Sequence, residues 1–290
     1  MRKSNARDLG VFEKLWLDAK AWVRKALVSD VRVQDGRFVS AFVCENRLQA
    51  YRAITLWAKE PGTMAWIDQS IRPGDRFLDI GANVGIYTIS AGHRVGDEGH
   101  VYAVEPHKPS SVALLRNIAR NGFQKRTTIF TCALADKRML APFNYTSFEP
   151  SVTGSQLGST QTNGSGKPFS AAATEICLAV SVDELIEAKA MEPPDLVKID
   201  VDGIELAILK GMAKLLGSSR PPRAVQVELN VGEQDAIVQW MKTSGYELHH
   251  RHFTSGGERA LREGRRVESI AHNAVFSPVG DQSLSEGIHS

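Results

Sequence analysis

The sequence predicts an α/β fold in which helices cover both faces of a mostly parallel sheet. From residue 76 onward, short apolar segments alternate with segments whose apolar residues recur every three or four positions. Such repeated βα units place consecutive strands parallel, because each helix crosses back over the sheet. The predicted strands are RFLDI (76–80), HVYAV (100–104), TTIFTC (127–132), DLVKID (195–200) and RAVQVEL (223–229).

Glycines at the ends of two intervening helices support the same fold. Gly122 and Gly245 follow helical segments at the position where a left-handed residue commonly ends a helix. Late in the chain, Tyr246–Arg251 and Ala274–Ser277 are predicted as two further strands. The helices are expected near residues 83–95, 110–121, 203–216 and 233–244.

Residues 1–70 are predicted to form an extension ahead of the main α/β domain, residues 71–280. Apolar residues at three- and four-residue spacing predict an amphipathic helix over residues 5–28. Between Arg2 and Arg37, nine Lys and Arg stand against five Asp and Glu. Because acids are mixed with the bases, a helix packed on the main domain is favoured over one lying on a membrane surface.

A β-hairpin is predicted after this helix, in the segment VRVQDGRFVSAFVC. Two alternating apolar runs flank Asp35-Gly36, and both residue types tolerate the positive φ angles of tight hairpin turns. Helices are then expected from Arg47 to Trp57 and near Thr63–Ser70, followed by a turn at Arg72-Pro73-Gly74-Asp75.

Composition and charge restrict the class of protein. The chain has 290 residues, of which 42% are hydrophobic, and this is enough for a large core. Lys and Arg number 35 against 33 Asp and Glu, so no nucleic-acid partner is expected. The three cysteines lie far apart, which disfavours a disulfide framework and a zinc ribbon. Because no apolar run is long enough to span a membrane, we expect a cytoplasmic protein.

Residues 144–170 interrupt the alternation of strands and helices. Of these 27 residues, 20 are Ser, Thr, Asn, Gln, Gly or Pro, which cannot bury enough apolar area to form a core. These residues are expected to form a long loop or an irregular hairpin. Long loops inside domains are frequently functional, so we expect a lid beside the ligand cleft, with a passive insertion as the alternative. Residues 281–290 are expected to form a disordered tail.

The strongest functional signal is Asp79-Ile80-Gly81-Ala82-Asn83-Val84-Gly85, where the first parallel strand meets its helix. Ligands of open α/β sheets bind at the carboxyl ends of the strands. Gly81 would let the backbone approach a ligand, and Gly85 would let the helix start lie close to the strand. Asp79 suits an ammonium group, and the helix N-terminus suits a carboxylate. The spacing D-x-G-x-x-x-G matches neither a dinucleotide fingerprint nor a P-loop, which disfavours an NAD-dependent oxidoreductase.

Two further strand ends offer groups for a nucleoside. Glu105-Pro106 follows the second strand, 24 residues after Gly81, close to the separation at which an acid meets ribose hydroxyls in nucleotide folds. Ala133 lies in Cys132-Ala133-Leu134-Ala135-Asp136, after the third strand, where small residues would let an adenine ring approach the backbone.

Several segments together are typical of one family: FLDIGANVGIYT, VYAVEPHKPSSVALLRNIARNG, ALAD, SVDEL, LVKIDVDGIELAILKG and VQVELN. With the lead-in WAKEPGTMAWIDQSIRPGD, the chain resembles the FkbM-type family of S-adenosylmethionine-dependent methyltransferases over about residues 50–277. The resemblance implies a seven-stranded, Rossmann-like class I methyltransferase sheet with a reversed last strand. It also implies that Asp79, Gly81 and Asn83 meet the methionine part of the cofactor and that Glu105 meets its ribose. The expected cofactor-binding residues are Asp79, Gly81, Ala82, Asn83, Gly85, Glu105, Pro106, Ala133 and Asp200.

Asp200 is the first candidate for the chemistry, because it ends the fourth strand and shares a face with Lys198. Asp202 and Glu205 precede an apolar helix with the spacing of a capping box, so a structural role is favoured for both. Glu228 and Asn230, at the fifth strand end, would share the cleft with Asp200. Their oxygens could bind Mg²⁺, although hydrogen bonding without metal is favoured.

Histidine is the second candidate for a general base. His249, His250 and His252 lie near the sixth strand, and imidazole titrates in the range useful for deprotonating a hydroxyl. His107 is expected at the ribose edge. The catalytic set is therefore expected to be Asp200, Glu228 and His250.

These residues predict an S-adenosylmethionine-dependent O-methyltransferase. The resemblance implies that the acceptor is a small or medium-sized hydroxylated molecule such as a sugar or a polyketide. N-methylation, RNA methylation and a non-catalytic nucleotide-binding subunit of the same fold are the alternatives. The sequence leaves a homodimer open and identifies neither the acceptor nor the base.

Overall fold

The computed structural model describes residues 11–158 and 170–280, and within these ranges the strands form three sheets. The predicted tail of residues 281–290 and residues 5–10 of the predicted first helix lie outside them. The strands are β1 (Ser29–Asp35), β2 (Phe38–Cys44), β3 (Arg76–Ile80), β4 (His100–Val104), β5 (Thr127–Phe130), β6 (Ala133–Leu134), β7 (Met139–Tyr145), β8 (Gln156–Leu157), β9 (Ala173–Val180), β10 (Leu196–Ile199), β11 (Ala224–Leu229), β12 (Tyr246–His252) and β13 (His272–Pro278).

Helices flank the central sheet on both faces. They are α1 (Val11–Leu27), α2 (Arg47–Ile54), α3 (Leu56–Lys59), α4 (Pro61–Ser70), α5 (Ile86–Val95), α6 (Lys108–Arg120), α7 (Val182–Glu187), α8 (Glu205–Lys210), α9 (Ala213–Leu216), α10 (Gln234–Thr243) and α11 (Ser255–Arg262). No helix in the described ranges is long and apolar enough to cross a membrane.

The central sheet confirms the predicted fold class. In the described residues its seven strands have the order β12-β13-β11-β10-β3-β4-β5, and β13 is antiparallel to both of its neighbours. The other adjacent pairs of this sheet are parallel. The last strand is therefore the reversed one, as the family resemblance implied.

Strand alternation divides the buried side chains between two layers. On β3, Leu78 and Ile80 join the larger core beneath α8–α10, whereas Phe77 packs with Trp66 of α4 on the opposite face. Asp79 lies on the same face as Phe77. The alternation therefore places the Asp79 side chain in the layer between the sheet and α5.

Glycines explain why the observed helices are shorter than predicted. Helix α5 begins at Ile86 rather than residue 83, because Asn83 and Gly85 take positive φ angles of 51° and 89° in the preceding turn. The helix predicted over residues 203–216 breaks at Gly211, where a Cβ atom would lie 2.2 Å from the Ala135 carbonyl oxygen. Gly122 and Gly245 follow their helices with positive φ, as predicted.

The predicted hairpin is present, with its turn one residue later than expected. Asp35 pairs with Phe38, so Gly36 and Arg37 form the turn. Asp35 is buried, and its carboxylate accepts a hydrogen bond from Arg94 Nη2 of α5 at 3.0 Å. The hairpin therefore packs on the main domain through a buried ion pair.

Helix α1 departs from the prediction. Val11, Phe12, Trp16 and Trp22 are exposed, so this face of the helix does not pack on the main domain as the mixed charge pattern suggested.

Residues 144–158 contain an irregular hairpin, one of the two forms predicted for this segment. Strands β6, β9, β7 and β8 form a second, four-stranded sheet, and β7 and β8 pair antiparallel at the start and the middle of the segment. Asn144 Nδ2 donates to the Gly158 carbonyl at 2.8 Å, and Ser151 is fully buried, with its backbone N–H and carbonyl both hydrogen-bonded. Residues 159–169, which include Phe169, lie outside the described ranges.

Candidate active site

Two adjoining pockets lie at the carboxyl ends of the parallel strands. We call them the strand-end pocket and the Arg52 pocket, and both are lined by Gly81, Asn83 and Asp200. The strand-end pocket has a cavity volume of about 100 Å³. The strand-end pocket also contains Glu105, Pro106, His107, Ala133, Leu134, Phe143, Val152, Thr153, Gly154, Asp202, Ile204 and Ile208. The Arg52 pocket also contains Lys59, Glu60, Ala82, Tyr87, Thr153, Asp202, Glu228 and Thr254.

Glu105 lies in the strand-end pocket as predicted, immediately after β4. Its Oε2 accepts a hydrogen bond from the Asn83 backbone N–H at 2.7 Å, and its Oε1 accepts one from the His107 backbone N–H at 2.8 Å. Burial raises the pKa of this carboxyl to about 7 despite these two donors. Since each carboxylate oxygen has a second lone pair, Glu105 can still accept bonds from a diol.

Asp79 is placed differently from the prediction. Its side chain is fully buried and lines neither pocket in the described structure. Thr88 Oγ1 donates to its Oδ2 at 2.6 Å, and Lys198 Nζ lies 4.0 Å from its Oδ1. Asp79 therefore does not contact the pocket directly, and its charge reaches the pocket wall only through Lys198.

The glycine-rich turn is shaped by close approaches within the protein. A Cβ atom on Gly81 would lie 2.0 Å from the Asp200 carbonyl oxygen, and one on Gly85 would lie 2.4 Å from Leu114 of α6. Gly85 therefore lets α5 approach a helix rather than the strand. The N–H groups of Gly81 and Ala82 both donate to the Val104 carbonyl, so they are not available to a ligand carboxylate.

The remaining walls of the strand-end pocket are largely apolar. Ala133 lies where predicted, and Leu134, Phe143, Ile204 and Ile208 surround the same space. Asn83 keeps its side-chain Oδ1 buried without a hydrogen-bond partner among the described residues. Such a buried acceptor beside an apolar cleft favours a ligand that brings its own N–H or O–H donor.

Residues 150–154 form a strap across both pockets that the sequence did not predict in this form. Asp202 Oδ2 accepts from the Gly154 backbone N–H at 2.7 Å, and Arg52 Nε donates to the Ser151 carbonyl at 3.1 Å. Ser110 Oγ accepts from the Ser151 N–H at 3.2 Å. The strap is therefore held by side chains from three separate segments of the chain.

Lys198 and Asp200 share a face, as strand alternation predicted. Lys198 Nζ is fully buried and donates to Asp200 Oδ2 at 2.8 Å, and it lies 4.4 Å from the Tyr87 ring centroid. Burial raises the pKa of Asp200, but the Lys198 ammonium outweighs burial and holds that pKa below its ordinary value. Asp200 is thus a charged group on the wall shared by the two pockets.

Glu228 lies in the Arg52 pocket near Asp200. Burial first, and then the negative charge of Asp200 and Glu205, raises the pKa of Glu228 to about 9. Asn230 lines neither pocket, and its Nδ2 donates to Glu205 Oε1 at 3.0 Å. The three oxygen groups considered for Mg²⁺ therefore do not converge on one space. Among the described residues, no cluster of three or more His, Cys, Asp and Glu side chains could hold a metal ion.

The capping-box prediction for Asp202 and Glu205 is wrong. Helix α8 begins at Glu205, its N-cap is Ile204, and no side chain caps it. Asp202 holds the strap instead. Glu205 is fully buried, and burial raises its pKa to about 8.

The three histidines of β12 line neither pocket in the described structure. Strand β12, which carries His250, is the edge of the central sheet, with β13 and β11 between it and β10. His250 lines neither pocket in the described structure, so the geometry does not support it as a base. His107 does line the strand-end pocket, but its ring bonds Ser110 Oγ and the Ser147 carbonyl, both at 2.9 Å.

The sequence did not predict four residues that line the Arg52 pocket: Arg52, Lys59, Glu60 and Tyr87. The lead-in WAKEPG held a signal, because Lys59-Glu60 directly precedes the Pro61 that opens α4. Glu60 is buried, with Lys59 Nζ at 3.1 Å and Asn273 Nδ2 at 3.3 Å. Charged residues kept beside a strand-end cleft are functional candidates.

The mostly parallel sheet with one reversed strand is a Rossmann-like α/β fold, and it carries an acid at the second strand end with an apolar cleft beside it. A family model described as "Methyltransferase FkbM domain" matches residues 79–248, more than half of the chain. The chain belongs to the FkbM family of methyltransferases, whose cosubstrate is S-adenosylmethionine.

The relatives found are distant. The chain is 28% identical over 219 residues to the hexuronic acid methyltransferase AglP of Haloferax volcanii, covering 75% of this chain and 80% of that protein. A methyltransferase FkbM structure from Methylobacillus flagellatus has a TM-score of 0.45 and 16% identity, and covers 70% of this chain but 43% of its own. An S-adenosylmethionine-dependent O-methyltransferase structure from Thermotoga maritima has a TM-score of 0.41 and 11% identity, and covers 86% and 77%.

The first prediction concerns Glu105. Replacing Glu105 with Ala removes the acceptor of two backbone N–H bonds and the expected acceptor of the ribose diol. Because such bonds contribute roughly 1.5–3 kcal/mol, cofactor affinity should fall about tenfold or more. Titration calorimetry with S-adenosylmethionine measures the change. Glu98→Ala, at an exposed position after α5, is the matched control. Parental affinity in the Glu105 variant would exclude Glu105 from the site.

The second prediction concerns the pH dependence of stability. Because the folded-state pKa of Glu205 is raised to about 8 from 4.5, the folded chain holds a proton that the unfolded chain loses. Glu205 therefore destabilises the fold progressively as pH rises from about 4.5 to about 8, by up to about 1.4 kcal/mol per pH unit. In urea unfolding at several pH values, the free energy of unfolding of Glu205→Gln should rise relative to that of the parent as pH increases over this window. A pH-independent difference would contradict the raised pKa.

Proposed function

We propose that this protein transfers a methyl group from S-adenosylmethionine to a hydroxyl of a small sugar-like acceptor. The strand-end pocket would hold the cofactor and the Arg52 pocket would hold the acceptor. The observation that carries the proposal is that the two pockets share a wall containing two acidic residues, Asp200 and Asp202, of which Asp200 is held charged by Lys198.

The strand-end pocket fits the nucleoside end of the cofactor. Glu105 offers carboxylate oxygens for the ribose diol, and Ala133 and Leu134 leave an apolar surface for the adenine. The unpartnered Asn83 Oδ1 gives an acceptor for the cofactor's ammonium group. Asp79, predicted for that ammonium, would contribute from behind the wall through Lys198.

Asp200 would orient the acceptor and take its proton. The cofactor supplies an electrophilic methyl group on a sulfonium. The Asp200 carboxylate faces the pockets with 30% of its side chain exposed, while Lys198 holds one of its oxygens from inside the sheet. The acceptor O–H would donate to the other oxygen, and its proton would pass to Asp200 as the new C–O bond forms and the methyl C–S bond breaks, which leaves a neutral thioether. Glu228, with a pKa of about 9, is protonated at neutral pH and would donate a hydrogen bond rather than act as base.

The Arg52 pocket favours an acceptor that carries an acidic group. Arg52 uses Nε to hold the Ser151 carbonyl and lines the pocket beside Lys59. Guanidinium groups bind carboxylates with two parallel bonds. The relative AglP is named for a hexuronic acid, and we propose a uronic acid or a similar acidic sugar as the acceptor class.

Residues 144–170 remain our candidate for an acceptor lid. Thr153 of the strap lines both pockets, so movement of the strap would open the cofactor and acceptor sites together. The hydrogen bond from Gly154 to Asp202 is the contact that such opening must break.

The third prediction tests Asp200 as the base. Asp200→Asn keeps the shape but cannot take a proton, so kcat should fall roughly 10²–10⁴-fold while S-adenosylmethionine still binds. Turnover is followed by mass spectrometry of the methylated acceptor, and cofactor binding by calorimetry. Asp235→Asn, exposed on α10, is the control. A variant that retains parental kcat would exclude Asp200 as base. If the parent binds the cofactor but methylates none of the acidic or neutral glycosides tested, a non-catalytic subunit is favoured.

The fourth prediction tests the acceptor class. Arg52→Gln should raise the KM for a glucuronide about tenfold or more, because it loses charge-assisted bonds of roughly 1.5–3 kcal/mol. The KM for the matching neutral glucoside should change little. Arg47→Gln, exposed on the same helix, provides the control. Equal effects on both acceptors would assign Arg52 to the strap alone and remove the argument for an acidic sugar.

A further inference from the structure

Helix α1 presents an uncovered apolar stripe. Val11, Phe12, Leu15, Trp16, Trp22 and Val23 recur at spacings that place them on one face, and Phe12 and Trp22 keep 87% and 71% of their surface exposed. Isolated exposed apolar residues are ordinary, but a contiguous stripe of this kind marks an interaction surface. The proposed methyl transfer makes no use of it.

The chemistry of the stripe suits the boundary of a lipid bilayer. Two tryptophans and a phenylalanine are side chains that bind at the level of lipid headgroups. Helix α1 has 17 residues and contains charged side chains, so it fits a position in the plane of the surface rather than across it.

Charge favours an anionic surface over a second copy of the chain. Helix α1 contains four Lys and Arg against two Asp and Glu, and residues 1–37 contain nine against five. Lys20 Nζ lies 3.3 Å from the Trp16 ring centroid, which places a cation directly beside the stripe. Two such helices would repel each other, whereas phosphate-bearing lipids would attract both.

We infer that α1 docks the protein on an anionic membrane surface. The place of the helix gives this docking a consequence for the site. Trp16, Lys20 and Val23 line a groove with Phe148, which lies just before the strap in sequence, and Pro150, the first residue of the strap. A bilayer that receives α1 would therefore lie beside the segment that covers both pockets, and Phe148, also exposed, would share the surface.

Vesicle sedimentation with the full chain tests the inference. The protein should sediment with phosphatidylcholine vesicles that contain phosphatidylglycerol, less with phosphatidylcholine alone, and less again at high salt. The combined variant Phe12→Ser, Trp16→Ser and Trp22→Ser should partition about tenfold or more weakly, because it loses most of the apolar area of the stripe. The control combines Leu140→Ser and Ile176→Ser, exposed apolar positions on the second sheet, and should bind like the parent.

Three outcomes would overturn the inference. One is absence of binding to either vesicle type; another is equal binding by the parent and the triple variant. The third is a parental dimer in sedimentation velocity that the triple variant loses while vesicles bind neither, which would identify a second copy as the partner of the stripe. S-adenosylmethionine affinity measured on both variants shows that the fold is intact.

Discussion

The buried ammonium of Lys198 is the group on which the site depends. A charge with no exposure is costly unless it is paired, and Lys198 has Asp200 at 2.8 Å and Asp79 at 4.0 Å. Its position follows from sheet register, because β10 pairs with β3 so that Lys198 lies opposite Asp79. The same register places Gln226 of β11 beside Lys198, so a polar row crosses three adjacent strands behind the pockets. The ammonium keeps one acid charged at the pocket wall.

Two acidic residues near Asp200 would repel it and each other if they were charged. Glu205 and Glu228 have raised pKa values of about 8 and about 9, because burial and neighbouring carboxylates penalise their charged forms. At neutral pH the Arg52 pocket thus contains a charged Asp200 and a largely protonated Glu228, and Glu205 is protonated and buried outside both pockets. In the proposed mechanism this division supplies one proton acceptor and one proton donor from residues of the same chemical type.

The sequence identifies the parts of the site that arise from local patterns. Strand alternation correctly placed Lys198 and Asp200 together, and the strand-end position of Glu105 placed it in the pocket. The capping-box prediction for Asp202 and Glu205 was wrong because the Asp202 carboxylate accepts instead from the backbone N–H of Gly154, 48 positions away. A local pattern cannot reveal that a distant segment competes for the same carboxylate.

Long-range contacts also decide where His250 and residues 144–158 lie. His250 was chosen for its chemistry, but strand order puts β12 at the sheet edge, and strand order depends on long-range pairing. The polar composition of residues 144–170 predicted a long loop or an irregular hairpin, but not that Ser151 is buried, because Arg52 and Ser110, which bond its backbone groups, are distant in sequence. Composition reports how much apolar area a segment has, not whether its polar groups find partners.

The strand-end pocket and the Arg52 pocket are therefore formed by different kinds of chain segment. Glu105 and Asn83, 22 positions apart, are joined by adjacent strand ends that the central sheet fixes. Arg52 and Ser151, 99 positions apart, meet only because an extension before the sheet and an insertion within it touch above the cleft. Both of these segments lie on the periphery, where the sequence can change without disturbing the sheet. In the proposed assignment these two peripheral segments make the acceptor site, so it can take up a new acceptor while the cofactor site stays the same. The proposed docking of α1 on a membrane, next to that site, would also decide where the acceptor is met.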